Sequence, residues 1–164
     1  MSKIGIYPGT FDPITYGHID VIKRSLKIVN KLIIAVSNDY LTDYLFSSEE
    51  RVKIIKNSLF KDLKINSKNI KVTSFNNLTT SLCSKYKATI IFRGLRAVSD
   101  FEYEFQLAGM NRKLNKKIET VFLMSDPENQ VISSRFVKEI AKLNGKIDNF
   151  VTRSTKKAIK DKYD

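Results

Sequence analysis

The sequence predicts a single α/β domain with a five-stranded parallel sheet and helices on both faces. Three observations point to it. Five short apolar runs recur along the chain, helical patterns separate them, and the 164 residues contain no repeat, linker or low-complexity segment. A chain of this length suits one domain with a sizeable core.

The runs lie at residues 4–7, 32–37, 70–75, 89–92 and 120–124, each short enough for a buried strand. After the first, Ile19, Ile22, Leu26 and Val29 recur at helical spacing, so His18 opens a helix. After the second, Ser47-Ser48-Glu49-Glu50 forms a capping box, and Val52, Ile55 and Leu59 share a face. Further helices are expected near residues 80–86, 101–114 and 134–143, the last stopped by Gly145. A basic stretch, 154–163, completes a surface helix within the tail 151–164. The alternation makes residues 1–164 one Rossmann-like domain.

In such a sheet the ligand crevice lies at the carboxyl ends of the strands. Four loops leave those ends: residues 8–17, 38–46, 93–100 and 125–134. Neither GxxxxGK[ST] nor GxGxxG occurs in them, so the two commonest nucleotide cradles are absent.

Charge and cysteine content narrow the function. The formal net charge of +12 invites a nucleic-acid partner, yet 22 lysines against 7 arginines are spread along the whole chain. Basic residues are not clustered with aromatics, so specific nucleic-acid binding is not expected. In so lysine-rich a chain, the remaining arginines mark places where a planar fork matters. Cys83 is alone, which excludes an internal disulfide and suits a small buried hydrophobe in a reducing, cytoplasmic protein. One histidine and one cysteine cannot build a zinc cluster, and no metal ligand set is expected. No apolar run approaches membrane-spanning length, so no membrane association is expected.

Three constellations carry chemistry. In "YPGTFDPITYGH", Gly9 lets the backbone turn or approach an anion, Thr10 adds a hydroxyl, and Gly17 leaves the helix start uncrowded before His18. A lone histidine there is either a polar rim to a capping turn or a donor to a phosphate oxygen. "FRGLRAVSDFEYE" sets Arg93 and Arg96 around Gly94, a strong polyphosphate clamp, with Asp100 and Glu102 as dipole partners in the next helix. In "NQVISSRFVKE", Ser133 or Ser134 caps a helix whose free N–H groups suit another phosphate, with Arg135 beside it.

Together these segments resemble the bacterial phosphopantetheine adenylyltransferases, a family of the T/HxGH nucleotidyltransferase superfamily. The match runs in register from about residue 3 to about residue 150. The TxGH element alone indicates nucleotidyl transfer; RGLRA running into DFEYE is far more specific. The resemblance implies an enzyme that joins ATP and phosphopantetheine, giving dephospho-coenzyme A and pyrophosphate. It also implies magnesium dependence and a cytoplasmic homohexamer. It assigns Thr10 to the phosphates of both substrates and His18 to the α-phosphate in the transition state. Phe11, Gly94, Leu95, Arg96 and Glu104 fall to the ATP site, with Asn129, Gln130, Val131, Ile132, Ser133, Ser134 and Arg135 over the adenine and triphosphate. Arg93, Thr42 and Thr79 fall to the phosphopantetheine side.

Two positions depart from the family pattern. The loop after the second strand should carry a lysine four residues before Phe46, but Thr42 stands there, followed by Asp43, and no basic residue occurs between Lys31 and Arg51. Thr79 replaces a larger apolar residue near the pantetheine arm. A rival of the same superfamily, adenylylating nicotinate mononucleotide or transferring cytidylyl to a sugar phosphate, is opposed by the RGLRA segment.

Overall fold

The computed structural model describes residues 2–164. Five strands, β1 (Ile4–Gly9), β2 (Lys31–Ser37), β3 (Ile70–Phe75), β4 (Ile90–Leu95) and β5 (Glu119–Met124), form one sheet in the order β3-β2-β1-β4-β5. All four pairings are parallel. The helices are α1 (Tyr16–Ser25), α2 (Ser48–Lys56), α3 (Thr79–Tyr86), α4 (Val98–Leu114), α5 (Ser134–Lys142) and α6 (Arg153–Tyr163).

The period of two along the strands sorts the core into two layers. Tyr7, Leu32, Ile34, Val36 and Phe92 join residues of α1, α2, α5 and α6 on one face. Ile6, Ile33, Ala35 and Ile91 meet Leu82 and Cys83 of α3 on the other. α4 packs beside α3 over β4 and β5. Both faces are covered, which is why the central strands read as continuous apolar runs. Each fully buried isoleucine contributes about 1.5–3 kcal/mol by leaving water. Cys83 belongs to this second layer, and burial pushes its thiol up to about 11, so it stays protonated.

The strand ends differ from the expected loops in a way that matters for the site. β1 runs on through Pro8 and Gly9, paired with Ala35 and Val36 of β2. β4 runs on through Arg93 and Gly94, paired with Phe122 and Leu123 of β5. Yet β1 and β4 pair with each other only at Gly5–Ile90 and Ile6–Ile91. The two central strands therefore part company beyond Ile6 and Ile91, where Pro8 has no N–H to donate. The crevice opens in that gap.

Two further differences concern helices. α2 continues as a π-helical turn, Asn57–Asp62, whose Ser58 hydroxyl lies 2.7 and 3.0 Å from those of Thr152 and Thr155. α6 is correspondingly anchored along one side: Thr155 and Ile159 are buried, and Asp62 accepts from the N–H and hydroxyl of Ser154.

Gly5 makes the first of the two β1–β4 pairs. A Cβ there would stand 2.4 Å from Cε2 of the fully buried Phe92. Gly5→Ala is expected to cost about 1–3 kcal/mol, as overpacking does. Urea denaturation checks this; an unchanged midpoint would mean that Phe92 has room to move.

Candidate active site

The gap between β1 and β4 widens into a cleft of about 550 Å³, walled by β1, β4, the start of α1, α4 and the start of α5. The β1–α1 turn bends sharply at Phe11, whose backbone takes a left-handed φ of 49°. This drives the Phe11 ring into the core, edge-on to Tyr7 at 5.2 Å and 4.9 Å from the ring of His18. Both aromatics wall the imidazole, so the turn fixes its direction.

His18 is the third residue of α1, and Thr15 is the N-cap. The helix thus opens two residues earlier than expected, and the histidine sits inside its first turn. The backbone N–H of Thr15 donates to Nδ1 of His18 at 3.0 Å, with the Thr15 hydroxyl 3.1 Å from the same nitrogen. A glutamate or glutamine usually makes this reach-back bond. An N–H can only donate, so Nδ1 is unprotonated, and a neutral ring carries its proton on Nε2. Nothing among the described residues accepts from Nε2, and His18 lines the cleft. Burial first, then the positive charges of Arg96 and Arg93, lower the imidazole's pKa to about 4. The ring is therefore neutral at physiological pH and offers one N–H to the cleft. The two readings of the lone histidine describe its two nitrogens: Nδ1 caps the turn, and Nε2 is available to a ligand.

Across the cleft, Arg93 on β4 is held in a fork by Glu104 of α4, Nη2 to Oε1 at 2.5 Å and Nε to Oε2 at 2.9 Å. Its Nη1 donates to the Pro8 carbonyl at 2.8 Å, inside the gap between the strands. Glu104 is thereby committed to orienting an arginine. Arg96 donates from Nη1 to the Ile132 carbonyl at 3.3 Å, and Asp100 accepts from its backbone N–H at 3.2 Å. On the third wall the Ser133 side chain accepts from the N–H of Phe136, capping α5, and Ser134 donates to the Pro13 carbonyl at 2.7 Å. Ser133 is therefore the cap, and Ser134 ties α5 to the β1–α1 turn.

Of the residues assigned through the resemblance, Thr10, His18, Arg93, Gly94, Arg96 and Glu104 line this cleft. So do Thr79, Ile132, Ser133, Ser134 and Arg135. Phe11 and Leu95 are buried in the walls behind it. Asn129, Gln130 and Val131 follow β5 outside the lining, and the Val131 side chain is exposed. Thr42 is exposed in the loop after β2, its hydroxyl 3.4 Å from Oδ2 of Asp39, and it does not reach the cleft wall. Arg135 pairs with Glu139 on its own helix and is largely exposed. Tyr7, Tyr103, Leu107 and Asn111 also line the cleft and were not singled out from the sequence. Their signal is positional: Tyr7 ends the first apolar run, and the other three recur at helical spacing along α4.

Among the described residues, no group of three or more histidine, cysteine, aspartate or glutamate side chains could hold a metal ion. No helix among them is long and apolar enough to cross a membrane.

The histidine's environment also makes a stability statement. Unfolded, its pKa returns to about 6.5. Between that value and about 4 the unfolded chain binds more protons, so stability falls as pH drops through the window and is fully present above it. His18→Asn keeps an acceptor where Nδ1 stood and removes the titration. The variant should lose less stability than the parent between pH 7 and pH 4.5. Equal losses in denaturation curves would mean that the folded imidazole is freely protonated.

A cytidylyltransferase-like family profile matches residues 6–140. The chain is 65% identical over its full length, and that of the relative, to a phosphopantetheine adenylyltransferase of Pelagibacter ubique. It is 48% identical to one from Sphingopyxis alaskensis, covering 96% of this chain and 91% of that one. Among solved structures, a Plasmodium falciparum nicotinic acid mononucleotide adenylyltransferase complexed with NaAD superposes with a TM-score of 0.73 at 16% identity, covering 98% and 96% of the two chains. That likeness shows the shared fold. With the sequence relatives beside it, the parted strands and the TxGH turn have a family: this chain belongs to the phosphopantetheine adenylyltransferases, enzymes of nucleotidyl transfer.

Proposed function

We propose that the protein transfers the adenylyl group of ATP to phosphopantetheine, giving dephospho-coenzyme A and pyrophosphate, the penultimate step of coenzyme A biosynthesis. The observation that carries this reading is full-length 65% identity to a relative bearing that name. The cleft's chemistry supports it. The attacking group is an ionised phosphate, so no general base and no covalent intermediate are needed. Its oxygen bonds to the α-phosphorus while the bond to the bridging oxygen breaks, and pyrophosphate leaves with the electron pair. Catalysis then rests on positioning and on stabilising charge.

In this mechanism Nε2–H of His18 donates to an α-phosphoryl oxygen as charge builds there. Thr10, which lines the cleft with His18, contacts the phosphates of both substrates. Arg96 takes the triphosphate and Arg93 the phosphopantetheine, each as a planar fork. Glu104 holds Arg93 in its plane, and the N-terminus of α5 at Ser133 and Ser134 receives phosphate oxygens. Magnesium is the expected cofactor. The acids of the cleft are engaged with arginines, Glu104 with Arg93 and Asp100 with Arg96. The donor set therefore fits an ion carried by the triphosphate and water, as magnesium commonly is, rather than a protein cage. Bound there, it neutralises phosphate charge. A cytoplasmic homohexamer completes the proposal; the exposed Phe105, Met110 and Leu114 of α4 offer apolar surface for subunit contact.

Pyrophosphate release from ATP with phosphopantetheine, set against nicotinate mononucleotide and sugar phosphates, tests the reaction. Turnover with phosphopantetheine alone is expected; turnover only with another acceptor would overturn it. Within that assay, His18→Asn should lower kcat about a hundred- to a thousandfold with little change in KM for ATP, since it deletes one donor used in the transition state. A loss below tenfold would remove His18 from the chemistry. Thr42→Lys tests the missing lysine. One charge-assisted hydrogen bond is worth about 1.5–3 kcal/mol, or roughly ten- to more than a hundredfold in kcat/KM. The gain should stay below tenfold, because Asp39 and Asp43 flank the position and would pair with a new ammonium. A gain of about fiftyfold or more would show an uncompensated loss.

A further inference from the structure

Arg51 is fully buried, the largest side chain in the domain to be so. It stands in the first turn of α2, where an arginine ordinarily reaches into water. Instead its guanidinium lies beneath the carboxyl ends of β1 and β2. Nη1 donates to the carbonyl of Thr10 at 2.7 Å and to that of Ser37 at 2.8 Å. Nε donates to the carbonyl of Phe46 at 3.1 Å, shared with that of Ser47 at 3.4 Å. The ring of Tyr44 covers the group at 4.0 Å. Nη2 is buried without a partner. One planar cation thus joins the turn after β1, the end of β2 and the entry to α2.

All four of its hydrogen bonds go to neutral carbonyls. Asp12, the carboxylate that acts on it most strongly, is itself engaged by Lys138 at 3.1 Å and by the N–H groups of Leu45 and Phe46. A buried charge without an ion-pair partner is costly, and an apolar side chain of similar size would often be as stable or better. Stability alone therefore gives a weak account of the arginine. Its placement gives a stronger one: Nη1 grips the carbonyl of Thr10, a residue that lines the cleft together with His18.

We infer that Arg51 is a positioning residue for the transfer reaction, fixing the Thr10 turn through its carbonyl and adding positive potential beneath the phosphate site. The inference rests on the adenylyl-transfer reading above. A lysine keeps the charge but cannot span the Thr10, Ser37 and Phe46 carbonyls from one plane. Displacing a reacting group by about 1 Å costs on the order of a hundredfold.

The test compares Arg51→Lys and Arg51→Met with the parent and with Ile159→Val, a core change under α6 remote from the cleft. Steady-state kinetics are run well below each variant's melting temperature. Arg51→Lys should lower kcat about ten- to a hundredfold with KM for ATP within about threefold. Arg51→Met, losing the charge too, should also raise KM for both substrates. Ile159→Val should lose stability and keep kcat. Parental kcat in folded Arg51→Lys overturns the inference, as does a kcat loss in Ile159→Val that matches its stability loss. If the parent itself shows no transfer to phosphopantetheine, the reading of the reaction fails instead. Should neither Arg51 variant fold, Tyr44→Leu removes the ring that covers the guanidinium. It should lower kcat several-fold at constant KM for ATP, with Tyr44→Phe recovering most of the loss. Parental kcat in Tyr44→Leu overturns the inference.

Discussion

The bond from the Thr15 N–H to Nδ1 of His18 determines what the cleft can do. It uses the helix's own unsatisfied donor to choose the tautomer of the only histidine in the chain. With Nδ1 occupied, the single proton of a neutral ring must sit on Nε2. Phe11 and Tyr7 keep the ring in one orientation, and burial, helped by the charges of Arg96 and Arg93, keeps it uncharged. A neutral donor suits a reaction whose nucleophile arrives already ionised.

Everything else in the site follows from how the sheet makes room for that donor. β1 and β4 touch at two pairs of residues and then separate, each continuing only with its outer neighbour. The gap admits Arg93, whose fork is held by Glu104 and whose third contact is the Pro8 carbonyl. Arg51 performs the matching task on the other side, pulling the ends of β1 and β2 together beneath Thr10. Two guanidinium groups thus brace opposite banks of one crevice.

The strand cores were legible because buried parallel strands are continuous apolar runs. Their ends were not, since Pro8, Gly9, Arg93 and Gly94 carry turn propensity and remain in the sheet only because one neighbour still pairs with them. The π-helical turn after α2 was equally hidden: Ser58 reads as a polar helix end until α6 supplies Thr152 and Thr155. Within the site, the segments around His18, Arg93 and Arg96 were legible through their motifs. The Arg93–Glu104 fork was not, because it joins a strand to a helix. Arg51 had a signal, the scarcity of arginine in a lysine-rich chain, but the capping box around it explained the segment well enough to mask it. Arg135, marked by the same signal, lines the cleft and pairs with Glu139 on its own helix. Thr42 was placed by its spacing from Phe46, and the loop that carries it turns on Asp39 instead.

The most direct test of this account is nitrogen-15 NMR of the imidazole, unambiguous because the chain has one histidine. From pH 8 down to about 5, His18 should show a protonated Nε2 and an unprotonated Nδ1, with no titration until the pH nears 4. A ring protonated on Nδ1, or one that titrates near the ordinary value of about 6.5, would contradict it.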